Sequence, residues 1–98
     1  MTITTEKNGE AILLKIEGRL DTTTAPELEK AMSELPESTK DLVLDMNALE
    51  YISSAGLRVL LGAQKKMNKI GTMKLVGVCD AVMEVFEMTG FADILTIE

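Results

Sequence analysis

Apolar residues recur along the chain at two spacings, one typical of strands and one typical of helices. Two short runs near the start, Ile3–Glu6 and Glu10–Glu17, are separated by Asn8-Gly9. Asn-Gly is a strong signal for a two-residue hairpin turn, because both positions tolerate positive φ. The pattern therefore predicts a β-hairpin whose first strand lies at the edge of a sheet.

The next segment has helical spacing. Its apolar residues recur at i, i+3, i+4 and i+7, and they are Leu28, Ala31, Met32 and Leu35. This spacing places them on one face of a helix. Thr24 and Glu27 have the spacing of a capping box, and Pro26 suits a first helical turn. Pro36 is predicted to end the helix.

Three further apolar runs are too short to be helices and predict short strands. They cover residues 42–46, 73–78 and 94–97. Residues 47–52, which follow the first of these runs, are predicted to be a connection, because their number is usual for a connection between elements.

Two helical patterns separate these runs. The longer begins near Leu57 and is closed by Gly71; the shorter is capped by Asp80, ends at Gly90 and includes Met88 as a core residue. The predicted order is β-β-α-β-α-β-α-β. Alternating strands and helices are typical of an α/β fold with parallel strand pairs, so we expect a single α/β domain over residues 1–98.

The junction before the long helix places two hydroxyls where that helix is predicted to begin. Residues 51–57 have the sequence YISSAGL, with Ser53 and Ser54 at its centre. Backbone N–H groups are unpaired at a helix start, and the dipole there favours negative charge. Serine is a leading N-cap residue, so an ordinary helix cap is one interpretation. A phosphate would also be tolerated there, so a phosphorylation site is the other.

Charge and composition exclude several classes of function. The chain has 16 acidic and 10 basic residues, for a net charge of −6. Nucleic-acid binders gather cations to neutralise phosphates, so we expect no nucleic-acid partner. A protein partner with a basic face fits the acidic balance better, because opposite potentials speed encounter.

The chain has no histidine, which removes Ser-His-Asp and Cys-His catalysis and the common zinc sites. It also has no phosphate-binding loop that ends in Gly-Lys-Ser/Thr. We therefore expect neither an enzyme nor a protein with a cofactor or a metal ion.

Localisation follows from the remaining composition. Cys79 is the only cysteine, so an internal disulfide is impossible, which fits a reducing compartment. The first residues lack the basic and apolar regions of a signal peptide, and no apolar run approaches the roughly 20 residues needed to span a bilayer. We expect a cytoplasmic protein that is a monomer when free and makes no direct contact with a membrane.

Two aspartates stand where predicted strands end. Asp21 precedes three threonines and is interpreted either as a turn residue or as a carboxylate that assists recognition of the serines. Asp45 is interpreted either as a ligand contact at a strand end or as a solvated carboxylate. Local sequence leaves both pairs of alternatives open.

Four segments together resemble the anti-sigma factor antagonist family, the bacterial STAS domains. They are GRLD at 18–21, DLVLD at 41–45, YISSAGL at 51–57 and FEMTGF at 86–91. In order and spacing they cover almost the whole chain. The resemblance implies a STAS-like domain, a small mixed β-sheet with about three to four helices packed against it.

The resemblance also implies a regulator of transcription that works by partner switching. The unphosphorylated antagonist of that family binds an anti-sigma factor that is also a serine kinase, and this frees a sigma factor. The kinase then uses ATP to phosphorylate the antagonist, which dissociates. A serine phosphatase restores the unmodified form.

The modified serine of that family stands two residues before a Gly-Leu pair, which implies Ser54 here, with Ser53 as a secondary candidate. Asp21 matches the family's acidic residue near this serine. The surface expected to meet the kinase contains Asp21, Ser53, Ser54, Gly56 and Arg58. The chain departs from the family on both sides of the serine: Ser53 replaces a frequent Asp, and Ala55 replaces a frequent Ser or Thr.

A second function remains open for the same fold. The domain would then be a constitutive binding module that stabilises a transporter or a signalling complex without phosphorylation. Ser54 would be no more than part of a helix cap.

Overall fold

The hairpin predicted at the start of the chain is present in the computed structural model, which describes residues 1–98. Strands β1 (Thr2–Asn8) and β2 (Ala11–Leu20) pair antiparallel. Gly9 in the turn between them has a φ of 65°, a conformation that glycine adopts without steric cost. As predicted, β1 is an edge strand of the sheet.

The remaining strands are added in parallel, so the sheet is mixed. Its order is β1-β2-β3-β4, with β2 parallel to β3 and β3 parallel to β4. The other elements are α1 (Ala25–Ser33), β3 (Asp41–Ile52), α2 (Ser54–Ile70), β4 (Thr72–Val76), α3 (Asp80–Thr89) and a 3₁₀ turn at Phe91–Asp93. The predicted α/β class and the mixed sheet with helices are confirmed.

The core lies between one face of the sheet and the helices. Alternate strand residues supply it, among them Leu14, Leu44 and Leu75, and the helices contribute Leu60 and Phe86; all five are completely buried. The alternating residues that point to the opposite face, in 11–17, 41–45 and 72–76, are half-buried or exposed. Each of the three helices begins shortly after a strand ends, so side chains at the ends of the parallel strands border on helix starts.

The predicted connection over 47–52 is wrong, because this segment continues β3. Leu49 and Ile52 are buried, and Ile52 pairs with Leu20 at the end of β2. Two register shifts, between Lys15 and Glu17 and between Gly18 and Arg19, interrupt the pairing. The shifts break the two-residue alternation by which a strand is identified from sequence. Strand β2 continues to Leu20, so it supplies pairing partners for the last residues of β3.

The strand predicted over 94–97 is present only as a single parallel bridge between Leu75 and Ile97. The backbone N–H of Leu75 donates to the carbonyl of Thr96 (2.8 Å), and that of Glu98 donates to the carbonyl of Leu75 (2.9 Å). The Lys74 ammonium lies 3.2 Å from the Glu98 carboxylate. The last residues therefore cover part of the β4 edge without forming a full strand.

Two predictions at α3 are wrong, and one is confirmed. Cys79, not Asp80, occupies the N-cap position. Met88 is 80% exposed and not part of the core, because it lies on the face of α3 away from Phe86. Gly90 ends the helix in the left-handed conformation, with a φ of 81°.

None of the helices is long and apolar enough to cross a lipid bilayer.

Candidate functional site

The ends of β2 and β3 bring the predicted site residues to one edge of the sheet. The two strands are parallel, and their last residues, Leu20 and Ile52, are partners. The N–H of Ser53 donates to the carbonyl of Leu20 at 2.9 Å. Asp21 and Ser53 therefore leave the sheet side by side, and the α2 helix starts directly above this edge.

The two serines have different environments. Ser53 holds the N-cap position of α2 in an extended conformation, and its carbonyl accepts from the N–H of Leu57 at 3.0 Å. Its hydroxyl makes no capping bond and is buried without a hydrogen-bond partner. Ser54 is the first residue of the helix and is exposed. Capping by a serine side chain, the simpler interpretation of this segment, is therefore absent.

The start of α2 is open to an anion. Its first turn contains no acidic residue, and no side chain accepts from its first backbone N–H groups. A negative charge here would interact favourably with those donors and with the helix dipole. Arg58 is exposed four residues after Ser54, and side chains at i and i+4 lie on the same side of a helix.

Gly56 lies beneath this surface. It is buried, and a Cβ on it would stand 2.6 Å from Leu20 Cγ and 3.0 Å from Ile52 Cγ1. Only glycine lets the helix approach the strand ends this closely. Gly56 therefore lets the start of α2, and with it Ser54, lie against the strand ends.

Asp21 organises the loop between β2 and α1. Its Oδ1 accepts from the hydroxyl of Thr23 (2.8 Å) and from the N–H groups of Thr23 (3.0 Å) and Thr24 (3.1 Å). These bonds, the Thr23 hydroxyl first, hold the pKa of Asp21 below its usual range because they favour the ionised form. The turn interpretation is confirmed, and a role in partner recognition stays a prediction.

The predicted capping box of α1 does not form. Thr24 is at the N-cap position, but its hydroxyl donates to the carbonyl of Arg19 (2.7 Å) and accepts from the N–H of Asp21 (2.8 Å). Those bonds tie the loop to the end of β2, so the hydroxyl is not available to the helix.

Sequence reasoning missed a cation–π pair beside the serines. The guanidinium of Arg19 lies 4.2 Å from the centroid of the Tyr51 ring, and the two residues are partners in the β2–β3 register. Tyr51 is 41% exposed, and Arg19 Nε is also 3.9 Å from Asp21 Oδ2. The extension of β3 would have revealed the pair, because it places Tyr51 opposite Arg19.

Asp45 lies apart from this edge, because β3 continues beyond it to Ile52. Its Oδ1 accepts from the backbone N–H (3.0 Å) and the side-chain amide (2.7 Å) of Asn47. The backbone bond first, and then the side-chain bond, hold the pKa of Asp45 below its usual range. Asp45 is therefore not brought together with the serines.

Comparison with known proteins shows the family of the chain. The family model described as "STAS domain" matches residues 2–98. An anti-sigma-B factor antagonist of Staphylococcus aureus is 30% identical over 86 residues, which are 86% of this chain and 80% of that protein.

Solved structures share the fold. The crystal structure of an anti-sigma factor antagonist from Mycobacterium paratuberculosis has a TM-score of 0.87 at 27% identity, over 98% of this chain and 83% of that one. The Bacillus cell fate determinant SpoIIAA in its phosphorylated form has a TM-score of 0.76 at 16% identity, over 99% and 91%. The chain belongs to the STAS domain family and, within it, groups with the anti-sigma factor antagonists.

Proposed function

We propose that the protein is a partner-switching anti-sigma factor antagonist controlled by phosphorylation of Ser54. Unphosphorylated, it binds an anti-sigma factor that is also a serine kinase, and this frees a sigma factor. Phosphorylation of Ser54 dissociates the complex, and a serine phosphatase restores the unphosphorylated protein. The observation that carries the proposal is the exposed position of Ser54 at the open start of α2, in a STAS domain that is similar to anti-sigma factor antagonists.

Burial favours Ser54 over Ser53 as the acceptor. A kinase must bring the γ-phosphate of ATP into line with the attacking hydroxyl oxygen. The Ser54 side chain is exposed, whereas the Ser53 hydroxyl is buried. Ser53 is reached only if the start of α2 moves, so it remains the secondary candidate.

The position of Ser54 explains how a phosphate could be accepted without unfolding. The added charge, about −1.5 to −2, would stand among free N–H donors in a turn that has no acidic residue. The exposed guanidinium of Arg58 lies on the same side of the helix. The phosphorylated form of SpoIIAA has the same fold as this chain. This likeness supports the proposal that the domain remains folded when it carries a phosphate.

Release of the partner would follow from desolvation. A partner docked over this edge would have to remove water from a dianion on a protein whose net charge is already −6. A loss of about 3 kcal/mol of binding free energy weakens binding roughly a hundredfold. The expected contact surface contains Asp21, Ser53, Ser54 and Arg58, with Gly56 beneath it; the exposed Tyr51 adjoins it.

Phosphorylation with mass-spectrometric mapping tests the proposal. The protein is incubated with ATP and the kinase-type anti-sigma factor encoded nearest to it, alongside Ser53→Ala and Ser54→Ala as matched variants. We expect phosphate on Ser54 in the wild type and in Ser53→Ala, and none in Ser54→Ala. We also expect Ser54→Asp to bind the anti-sigma factor at least tenfold more weakly than Ser54→Ala.

The opposite result would favour the constitutive module. If no phosphate reaches Ser54, and Ser54→Ala and Ser54→Asp both bind like the wild type, the switch is absent. Co-purification with a transporter or signalling complex, unaffected by Ser54→Asp, would then assign the domain to that complex.

A further inference from the structure

A groove runs along the seam between α1 and α2. It consists of three adjoining cavities of about 250, 230 and 380 Å³. The first and second share Glu29, Arg58 and Val59, and the second and third share Met32, Ala63 and Lys66. We call these cavities together the α1–α2 groove.

The length of the groove matches a helix. Along α2 it reaches from Ala55 to Ile70, which is about 22 Å at a rise of about 1.5 Å per residue. Its apolar lining is only half-buried, with Val59, Ala63 and Ile70 on α2 and Met32 on α1. A second helix laid along the groove would bury this stripe, as amphipathic helices do in hydrophobic grooves.

The two sides of the groove carry opposite charges without partners in the chain. Arg58 and Lys66 stand on the α2 side, and Glu29 and Glu37 stand on the α1 side. None of them takes part in the four ion pairs of the molecule. This arrangement is complementary to a helix that has acidic residues along one flank of its apolar stripe and basic residues along the other.

Gly62 supports the same conclusion. It lies in the middle of α2, is exposed, and lines the central cavity. A Cβ at this position would meet nothing within 4 Å, so no contact inside the chain requires glycine. Glycine weakens a helix relative to alanine. A glycine at this exposed position would allow the backbone of a partner to approach α2 closely.

We propose that the α1–α2 groove docks an amphipathic helix of a protein partner, about four turns long. Acidic residues of that helix face Arg58 and Lys66, basic residues face Glu29 and Glu37, and its apolar stripe fills the cavity of about 380 Å³ beside Met32. This surface shares Arg58 with the proposed contact surface, extends from there away from Ser54 and requires no phosphorylation, so it goes beyond the proposed function.

A synthetic peptide tests the groove. The probe is a helical peptide of about 18 residues with a leucine stripe, glutamates on one flank and lysines on the other, long enough to span about 22 Å. Binding of the fluorescein-labelled peptide to the full-length protein is followed by anisotropy. We expect micromolar binding, weakened about tenfold or more by Lys66→Glu, and blocked by Gly62→Gln, which changes no charge.

Lys65→Glu is the matched control, because it makes the same charge change one residue away, outside the groove. We expect it to weaken binding about twofold or less. Circular dichroism checks that each variant is folded. The protein is used without kinase or ATP, so the result does not depend on phosphorylation.

Three outcomes would overturn the proposal. They are no binding of the peptide to the wild type, equal weakening by Lys65→Glu and Lys66→Glu, and binding of phosphatidylglycerol vesicles in place of the peptide. The second would show general electrostatic attraction, and the third would assign the groove to a membrane surface.

Discussion

Two adjacent hydroxyls at the start of α2 differ in what surrounds them. The oxygen of Ser53 is enclosed and unbonded, and that of Ser54 is exposed in the first turn. A buried hydroxyl without a partner opposes folding, because it has lost its bonds to water. The Ser53 hydroxyl therefore costs stability at this position, and the N–H groups of the turn are left for another acceptor.

Ser53→Ala tests this difference directly. Removal of a serine that caps a helix costs about 1 kcal/mol. Because Ser53 makes no capping bond, we expect the free energy of unfolding to stay the same or to rise by up to about 1 kcal/mol. Urea unfolding followed by circular dichroism measures it. A loss of about 1 kcal/mol or more would show that the hydroxyl caps the helix in solution.

The ionisation of the Asp21 carboxylate makes the stability of the folded protein depend on pH. Because its hydrogen bonds lower the pKa in the folded state, they stabilise the protein above the ordinary pKa of about 3.9. That stability is lost as the pH falls through the lowered pKa. The wild type should lose free energy of unfolding as the pH is lowered from about 6 to about 2.5, and we expect Asp21→Asn to lose less. Urea unfolding at a series of pH values in this range measures both.

Asp93→Asn is the control for this measurement, because the Asp93 carboxylate is exposed and makes no hydrogen bond. It removes one exposed carboxylate, so the difference between the two variants reports the hydrogen bonds of Asp21. Identical profiles for Asp21→Asn and the wild type would mean that the threonine bonds are not kept in solution.

At the scale of the elements, regular patterns were predictable and irregular ones were not. Both long crossovers and the hairpin follow from helical spacing and from Asn8-Gly9. The end of β3 could not be predicted, because its pairing with β2 shifts register twice and so loses the alternation of buried residues. The pair of Arg19 and Tyr51 was missed for the same reason, since it exists only in the shifted register.

The serine segment shows the same division. Its position at a helix start agrees with expectation, although α2 begins at Ser54 and not near Leu57. The buried hydroxyl of Ser53 depends on how closely α2 approaches the strands, which no local pattern encodes. Likewise, the bonds that Thr24 makes depend on the path of the loop after β2.

Substitution of two glycines of α2 by alanine tests how closely this helix packs on the strand ends. In Gly56→Ala the new methyl would overlap Leu20, so we expect a loss of about 1–3 kcal/mol in the free energy of unfolding. Gly62→Ala is the matched control, because its methyl meets nothing; we expect a gain of about 0.5–1 kcal/mol. Thermal unfolding measures both. Equal effects would contradict the close approach at Gly56.

At the scale of the whole molecule, the site and the groove share one helix. The open start of α2 bears Ser54, and the seam with α1 continues from Ala55 to Ile70. The sheet face opposite the helices has no part in either surface. A partner on this side could therefore meet both, and a charge at Ser54 would change only one end of the contact.

The proposed switch requires that a charge at Ser54 changes binding while the fold is kept, and Ser54→Asp separates the two effects. The new carboxylate would stand at the helix start, in a turn without acidic residues. We expect the free energy of unfolding to rise by about 0.3–1 kcal/mol at low salt, relative to the uncharged control Ser54→Asn. High salt should shrink this difference, because the carboxylate is exposed and screened.

Partner binding should respond in the opposite direction. In the proposed complex the anti-sigma factor would cover this charge and desolvate it, so Ser54→Asp should bind more weakly than Ser54→Asn. Urea unfolding and calorimetric titration of the same two variants give both quantities. A variant that loses stability and binding together would show a damaged domain, and the start of α2 would then not act as a switch.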